Sequence, residues 1–419
     1  MRTFSIQSFG CRVNQAESFE WAEKLQAAGF SLSPEWGKSD LIIINTCALT
    51  AGAERDVRKF LRQISRCHPQ CQLVVTGCAV KLLEEELERN KQVKAVVPNE
   101  AKPELLNPIV GSEASRPEVL FAASEPQTFR SRALVKIQDG CSQACTFCVI
   151  PQVRGKNKSR PADEIIRRVK QLTDLGYREI VLAGIHLTSY GAEQNPPLSL
   201  LQLLRELTSI DGLGRLRLSS LDPRAMDEAL VDFLTSHEKI CPHFHLSLQH
   251  ASEPVLRLMG RKSQTEDYRR ILMALREKSP QAALGADIIV GFPGEREADF
   301  RFLKDFIAVS PLTYLHVFPY SPRPGTVAAR WPQLPGLVKK ERAKELRGLA
   351  LRKNLDFRNS LVGQVFSGIV IRQRRTGETE VLTNNYVKVM VSKFLSAGQE
   401  VKVRIGQVKP EATFGEVVA

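Results

Sequence analysis

The sequence predicts an α/β protein built in three parts, and three observations carry that prediction. Near-continuous apolar strand runs alternate with helical patterns through the first hundred residues. The same alternation continues at a longer period to residue 356 or so. After that, the pattern changes to short strands with period-two alternation.

In the first part, "TFSIQS" (3–8), "DLIIIN" (40–45), "QLVVTG" (72–77) and "KAVVP" (94–98) read as strands. Helical periodicity covers Glu17 to Ala28, "ERDVRKFLRQIS" (54–65) and "KLLEEELERN" (81–90). A run such as "DLIIIN" is apolar at successive positions, as a strand covered on both faces must be. The alternation therefore predicts a parallel sheet with crossover helices. The stretch 101–131, with "PELLNPIVGSEASRPE", reads as a linker rich in turn residues.

The second part has six candidate strands: 133–138, 179–184, 215–220, 243–248, 285–291 and 314–319. Amphipathic patterns such as "ADEIIRRVKQLTDLG" and "TEDYRRILMALREKS" separate them. This spacing suits a complete or partial (β/α) barrel, with an open doubly wound sheet as the alternative. A basic helix, "KKERAKELRGLALRKNLDF" (339–357), leads into "GQVFSGIVIR", "TEVLTNNYVKVMV", "QEVKVRIG" and "ATFGEVV". These predict a small all-β barrel.

Composition narrows the class. Of 419 residues, 43% are hydrophobic and 25% charged, as in ordinary globular proteins. The net charge of +13 fits a polyanionic partner. The chain shows no secretory signal and no uncharged apolar run near 18 residues, so a cytoplasmic protein without a membrane span is expected. Nine cysteines, an odd number, argue against a disulfide framework and for reduced thiols, some of them metal ligands.

Three cysteines, Cys141, Cys145 and Cys148, fall in "DGCSQACTFCVIPQVRG" just after the first barrel strand. Their C-x3-C-x2-C spacing lacks the fourth ligand of a closed structural zinc site. Three thiolates can hold a cubane 4Fe–4S cluster and leave one iron open to an external ligand. Cys11, Cys47 and Cys78 each lie just past the end of a parallel strand, so they can converge on a second cluster. Cys67 and Cys71, flanking "HPQ", read as ordinary thiols rather than half a zinc site with His68, and Cys241 reads as structural.

With Phe147 before its last cysteine, the triplet resembles that of the radical S-adenosylmethionine (SAM) enzymes. Flanking segments resemble the methylthiotransferase branch of that family. They are "GCRVN" (10–14), "NTC" (45–47), "TGC" (76–78), "SRP" (159–161), "LSLQHAS" (246–252), "RLMGRK" (257–262), "DIIVGFPGE" (287–295) and "FPYSPRPGT" (318–326). The resemblance implies a flavodoxin-like N-terminal sheet (1–112), a partial (β/α)6 radical SAM barrel (127–356) and a C-terminal TRAM barrel (357–419), a small RNA-binding module. "GIHLTSYG" (184–191) resembles the members that modify threonylcarbamoyladenosine in tRNA. Members acting on isopentenyladenosine usually carry Gln-Asn-Val there, and those acting on a ribosomal protein Gln-Asp.

This resemblance implies two 4Fe–4S clusters, SAM, a tRNA anticodon stem-loop as partner and an electron donor such as a flavodoxin. Cys141, Cys145 and Cys148 would hold the cluster whose open iron chelates SAM; reductive cleavage would yield a 5′-deoxyadenosyl radical that attacks the substrate. Cys11, Cys47 and Cys78 would hold the auxiliary cluster that presents sulfur, methylated by a second SAM. Phe147, Ser219, Ser220, Gln249 and Gly291, mostly at strand ends, are the expected SAM contacts. His186, Arg154, Lys156, Lys158, Arg160, Arg374 and Arg375 are the expected substrate and RNA contacts, the cations serving phosphates. Residues 339–375 hold eleven Lys or Arg against three acidic residues. The reading from another class is a metal-stabilised RNA-binding sensor without SAM chemistry.

Overall fold

Leu41–Thr46 (β3) is buried at every position, and its pattern explains why. Ile42 and Ile44 meet the helix Ala51–Cys67, while Leu41 and Ile43 meet the helix Arg12–Ala27 on the other face. In the computed structural model, which describes residues 2–110, 131–374 and 377–418, β3 is the centre of a five-stranded parallel sheet. Its neighbours are β1 (Thr3–Ser8), β2 (Ser31–Leu32), β4 (Gln72–Gly77) and β5 (Val93–Val97), in the order β2-β1-β3-β4-β5. This is the flavodoxin-like order, whose ligand crevice lies where β1 and β3 diverge.

Some boundaries differ from expectation. The first helix begins at Arg12, not Glu17, because Cys11 is its N-cap residue and the Asn14 amide donates to the carbonyls of Phe9 and Thr46. Residues 81–90 form only a short helix, Glu84–Glu88, in which Leu87 alone is buried. The expected linker is in part structured. Asn107–Val110 is helical, and Leu105, Leu106 and Ile109 pack against the sheet's core. Residues 111–130 of that expectation lie outside the described residues.

The central strands are β6 (Ala133–Lys136), β9 (Glu179–Ala183), β10 (Arg215–Leu218), β11 (Ser220–Leu221), β12 (His243–Gln249), β13 (Ala283–Val290) and β14 (Tyr314–Pro319). They run parallel as β6-β9-β10 and β11-β12-β13-β14, the third strand being broken at Ser219. The first and last strands do not pair, so the barrel is partial. A small antiparallel pair, β7 (Gln138–Asp139) and β8 (Lys158–Ser159), clasps the cysteine loop between them. The helix Arg12–Ala27 fastens the first sheet to this barrel, its Val13 and Ala16 packing on Leu134, Val181 and Ala183.

The C-terminal strands β15 (Val365–Gln373), β16 (Thr379–Thr383), β17 (Lys388–Val391), β18 (Glu400–Val408) and β19 (Thr413–Val418) close into a barrel. Val370, Val381, Val389, Val403 and Ile405 fill it. The basic helix Gly336–Ser360 is a connector, and tertiary contacts take up much of its charge. Arg342 pairs with Glu295 at 2.6 Å, Arg347 and Lys353 donate to barrel carbonyls, and Arg358 donates to the carbonyls of Lys409 and Pro410.

Buried Glu179 organises the junction between the two barrels. Arg217 and Arg215 each reach it at 2.7 Å and Arg132 at 3.2 Å. Arg217 then donates to the carbonyls of Thr383 and Asn384 on the small barrel. Burial alone would raise the Glu179 carboxyl, but the guanidiniums hold it far below its ordinary 4.5. A carboxylate depressed in the folded state contributes stability that is complete above its unfolded pKa and lost as pH falls. Limited proteolysis across a pH series is therefore expected to show the small barrel loosening only below about pH 4. Glu179→Gln should loosen it already at neutral pH; equal resistance of variant and wild type would refute the role.

Candidate active site

The first cysteine trio is set by strand register. Ser8 pairs with Asn45, Asn45 with Thr76 and Thr46 with Gly77, so β1, β3 and β4 end level with one another. Cys11, Cys47 and Cys78 follow those ends. Gly10 makes the approach possible: its φ is +90°, and a Cβ there would lie 2.4 Å from Cys47 Sγ. Arg154 Nε donates to Cys78 Sγ at 3.2 Å, and Asn99 Nδ2 lies 3.7 Å from the same sulfur. Burial pushes the Cys11 thiol up and the Cys47 thiol up to about 12, so binding a metal here must displace protons.

The second trio sits on the loop that β7 and β8 clasp. Gly140 turns it with φ +65°, where a Cβ would meet the Lys156 carbonyl oxygen at 2.0 Å. Cys141 N donates to the Gly155 carbonyl at 3.1 Å, and Thr146 N to that of Met259 at 3.0 Å. Gln143, between the first two cysteines, anchors the loop: its amide donates to Asp222 Oδ2 at 3.2 Å and its oxygen accepts from Arg224 at 2.6 Å. Burial would raise the Asp222 carboxyl, but hydrogen bonds from His186 and Arg224 and the charge of Arg261 hold it far below the ordinary range. Burial pushes the Cys148 thiol up to about 12.

Five of the six thiols open onto one cavity of about 710 Å³. Its wall includes Cys11 and Cys47 on one side and Cys141, Cys145 and Cys148 on the other. Phe147, His186, Ser219, Ser220 and Gln249 all line it. Phe147 packs edge-on against Phe292 at 6.2 Å, and Gln249, at the end of β12, has a positive φ of 70°. Gly291 does not line the cavity; it faces the side chain of Lys339 on the connecting helix.

Of the expected RNA cations, Arg154 needs correction. Its side chain is 1% exposed and pairs with Asp139 at 2.8 Å and Glu17 at 3.2 Å, so no phosphate reaches it. Arg160 is also engaged, both its terminal nitrogens meeting the Glu20 carboxylate. Lys156 and Lys158 are exposed. Arg374 is half-exposed on the β15–β16 hairpin, 3.6 Å from Glu380; Arg375 lies outside the described residues. Residues the sequence reading missed line the cavity as well: Arg12, Asp222, His243, His245, Asp287, Tyr314, His316 and Tyr386. A signal existed for several: "HFHLSLQ", "ADIIVG" and "YLHVFP" place a polar side chain at alternate positions of otherwise apolar strands.

The donor sets fit clusters better than single ions. Among the described residues, His245, Asp287 and His316 are the only His, Cys, Asp or Glu trio with ligand atoms all within 4.8 Å. The six thiols are spread wider, whereas a tetrahedral zinc needs sulfurs about 3.8 Å apart. A cubane takes each thiolate on a separate iron, and the amide and guanidinium donors around Cys78 and Cys141 are of the kind that tune such sulfurs. Cys67 and Cys71 gather no such set: Cys67 is exposed, His68 meets the Ser39 carbonyl and Cys71 accepts from Gln92. Cys241 is buried, as expected.

Comparison with known proteins agrees with this geometry. The model of the radical SAM superfamily matches residues 135–307, and that of uncharacterized protein family UPF0004 matches residues 3–98. The threonylcarbamoyladenosine tRNA methylthiotransferase MtaB of Aquifex aeolicus is 36% identical over 96% of this chain and 99% of its own length. That of Rickettsia prowazekii is 34% identical over 96% and 94%. A tRNA-2-methylthio-N(6)-dimethylallyladenosine synthase of Moorella thermoacetica follows at 32%, over 100% and 98%. Among solved structures, the radical SAM methyltransferase TsrM from Kitasatospora setae shares the fold, with a TM-score of 0.55 at 15% identity over 78% of this chain and 77% of its own. No helix among the described residues is long and apolar enough to cross a membrane.

Proposed function

This chain belongs to the radical SAM methylthiotransferase family, and from that premise we propose that it places a methylthio group on carbon 2 of N6-threonylcarbamoyladenosine beside the tRNA anticodon. The observation that carries the reading is one cavity lined by Cys11 and Cys47 of the first trio and by all three thiols of the second. Cys141, Cys145 and Cys148 would hold the SAM-binding cluster, and Cys11, Cys47 and Cys78 the auxiliary one. When bound, the clusters supply an electron for cleaving SAM and a transferable sulfur.

The protein's own part is placement. Gln143, Asp222 and Arg224 hold the cluster loop still. Phe147 offers a face for the adenine of SAM, and Ser219, Ser220 and Gln249 offer polar strand ends to its ribose and amino-acid groups. Lys156, Lys158 and Arg374 lie on the surface, where they would meet tRNA phosphates, and 357–419 would act as the RNA-binding module. An electron donor such as a flavodoxin and a cytoplasmic setting complete the reading. Relatives named for threonylcarbamoyladenosine favour that substrate, as does "GIHLTSYG".

The test is to incubate anaerobically reconstituted protein with SAM, reductant and anticodon stem-loops carrying threonylcarbamoyladenosine, isopentenyladenosine or adenosine. Nucleoside mass spectrometry is expected to find the methylthio product only from the first. Product from the isopentenyl loop instead would overturn the substrate assignment.

A further inference from the structure

One corner of the cavity gathers more positive charge than the described residues balance. Arg12 meets Gln15 Oε1 at 3.2 Å and Tyr386 Oη at 2.6 Å and, among the described residues, no carboxylate. Behind it Arg132, Arg215 and Arg217 share Glu179, and among the described residues only the half-exposed Glu400 adds a second carboxylate, 3.6 Å from Arg215. Four guanidiniums thus face two carboxylates. Asp287, also on the cavity wall, is engaged by His245 at 3.0 Å and His316 at 3.2 Å. Arg12 is half-buried on the cavity wall, where an unpaired charge is costly, so an anionic group from outside the chain suits it.

The corner is also built. Tyr386 enters it from the small barrel with φ +70°, a strained conformation for an aromatic residue. Its ring stacks on His243 at 4.0 Å, with Arg217 over it at 5.1 Å. His243 is 6% exposed and its Nδ1 is buried without a partner. All three regions of the chain supply a wall, and the corner shares the cavity with Cys11, Cys47 and the second trio.

Resting on the proposed threonylcarbamoyladenosine substrate, we propose that Arg12, with Tyr386 and His243 beside it, is the subsite for the free carboxylate of the threonylcarbamoyl tail. An isopentenyl tail has no charge to offer such a corner, so the same contact would reject it. The chemistry recognised is a carboxylate, and the amino-acid end of SAM carries one too.

The experiment therefore has two ligands. Reconstituted wild type, Arg12→Gln and Tyr386→Phe are titrated, with and without SAM, against fluorescent anticodon stem-loops carrying threonylcarbamoyladenosine or adenosine. SAM binding is measured separately by equilibrium dialysis. Wild type is expected to prefer the modified loop by roughly tenfold or more, as for a hydrogen-bonded charge pair. Arg12→Gln should abolish that preference and leave the adenosine loop and SAM within about twofold; Tyr386→Phe, remote in sequence from any cysteine, should reduce it. Arg12→Lys should restore part of it. The proposal is overturned if wild type shows no preference, if Arg12→Gln keeps it, if both loops weaken equally, as for a phosphate contact, or if only SAM weakens. Iron content monitors cluster loss in Arg12→Gln; should iron fall, Tyr386→Phe decides. If wild type forms product from the modified loop and the preference survives both variants, this subsite alone fails. If wild type forms none, the underlying reading fails.

Discussion

Cys145→Ala and Cys47→Ala are each expected to abolish methylthio product, more than a thousandfold, and to do so in different ways. Each should lower bound iron from about eight to about four per chain, one cubane being lost. Cys145→Ala should also stop release of 5′-deoxyadenosine from SAM, because its trio stands on the loop at the mouth of the partial barrel, beside the strand ends that line the cavity. Cys47→Ala should leave that release intact, since Cys47 belongs to another sheet and only shares the cavity. Iron assay and mass spectrometry of both reactions separate the outcomes. Continued methylthiolation by Cys47→Ala would remove the first trio from the reaction, and a single shared cluster would show as complete iron loss in both variants.

The second large effect is expected at Arg154. Its guanidinium joins Glu17, Asp139, Asn14 and Cys78, so it links the first helix, the cluster loop and the auxiliary trio. Burial would raise the Glu17 carboxyl, but Lys136, Lys102 and Arg154 hold it well below its ordinary range. Removing one partner from such a buried set typically costs about 3–5 kcal/mol. Arg154→Gln is therefore expected to lower thermal stability by that order and to lose about four irons. Replacing exposed Lys156 and Lys158 should spare both and lower the salt dependence of tRNA binding by roughly one to two phosphates. Unfolding scans, iron assay and a salt titration check the contrast. If Arg154→Gln weakened tRNA binding while keeping stability and iron, its assignment as a buried strut would be wrong.

The history of Arg154 shows where linear patterns stop. "RGKNKSR" reads as one basic run, yet α-helical and strand turns within it send Arg154 inward, Arg160 to Glu20 and the two lysines out. Charge in a run says nothing of which side chains find buried carboxylates far along the chain. The same holds for the helix 336–360, several of whose cations are taken up by tertiary contacts. By contrast, the apolar runs before Cys11, Cys47 and Cys78 did reveal the strands, because burial on both faces leaves a local mark.

The six thiols and the strand–helix alternation were determined by the sequence itself, since spacing and hydrophobic period are local and each thiol follows the strand or turn that presents it. Only the tertiary structure decided that thiols from both trios share one cavity, that Ser219 breaks the third barrel strand there and that Arg12 meets Tyr386 across 374 residues. Those facts depend on strand order and on how the three regions dock. Docking is fixed by long-range packing and charge pairing, which leave no periodic trace along the chain.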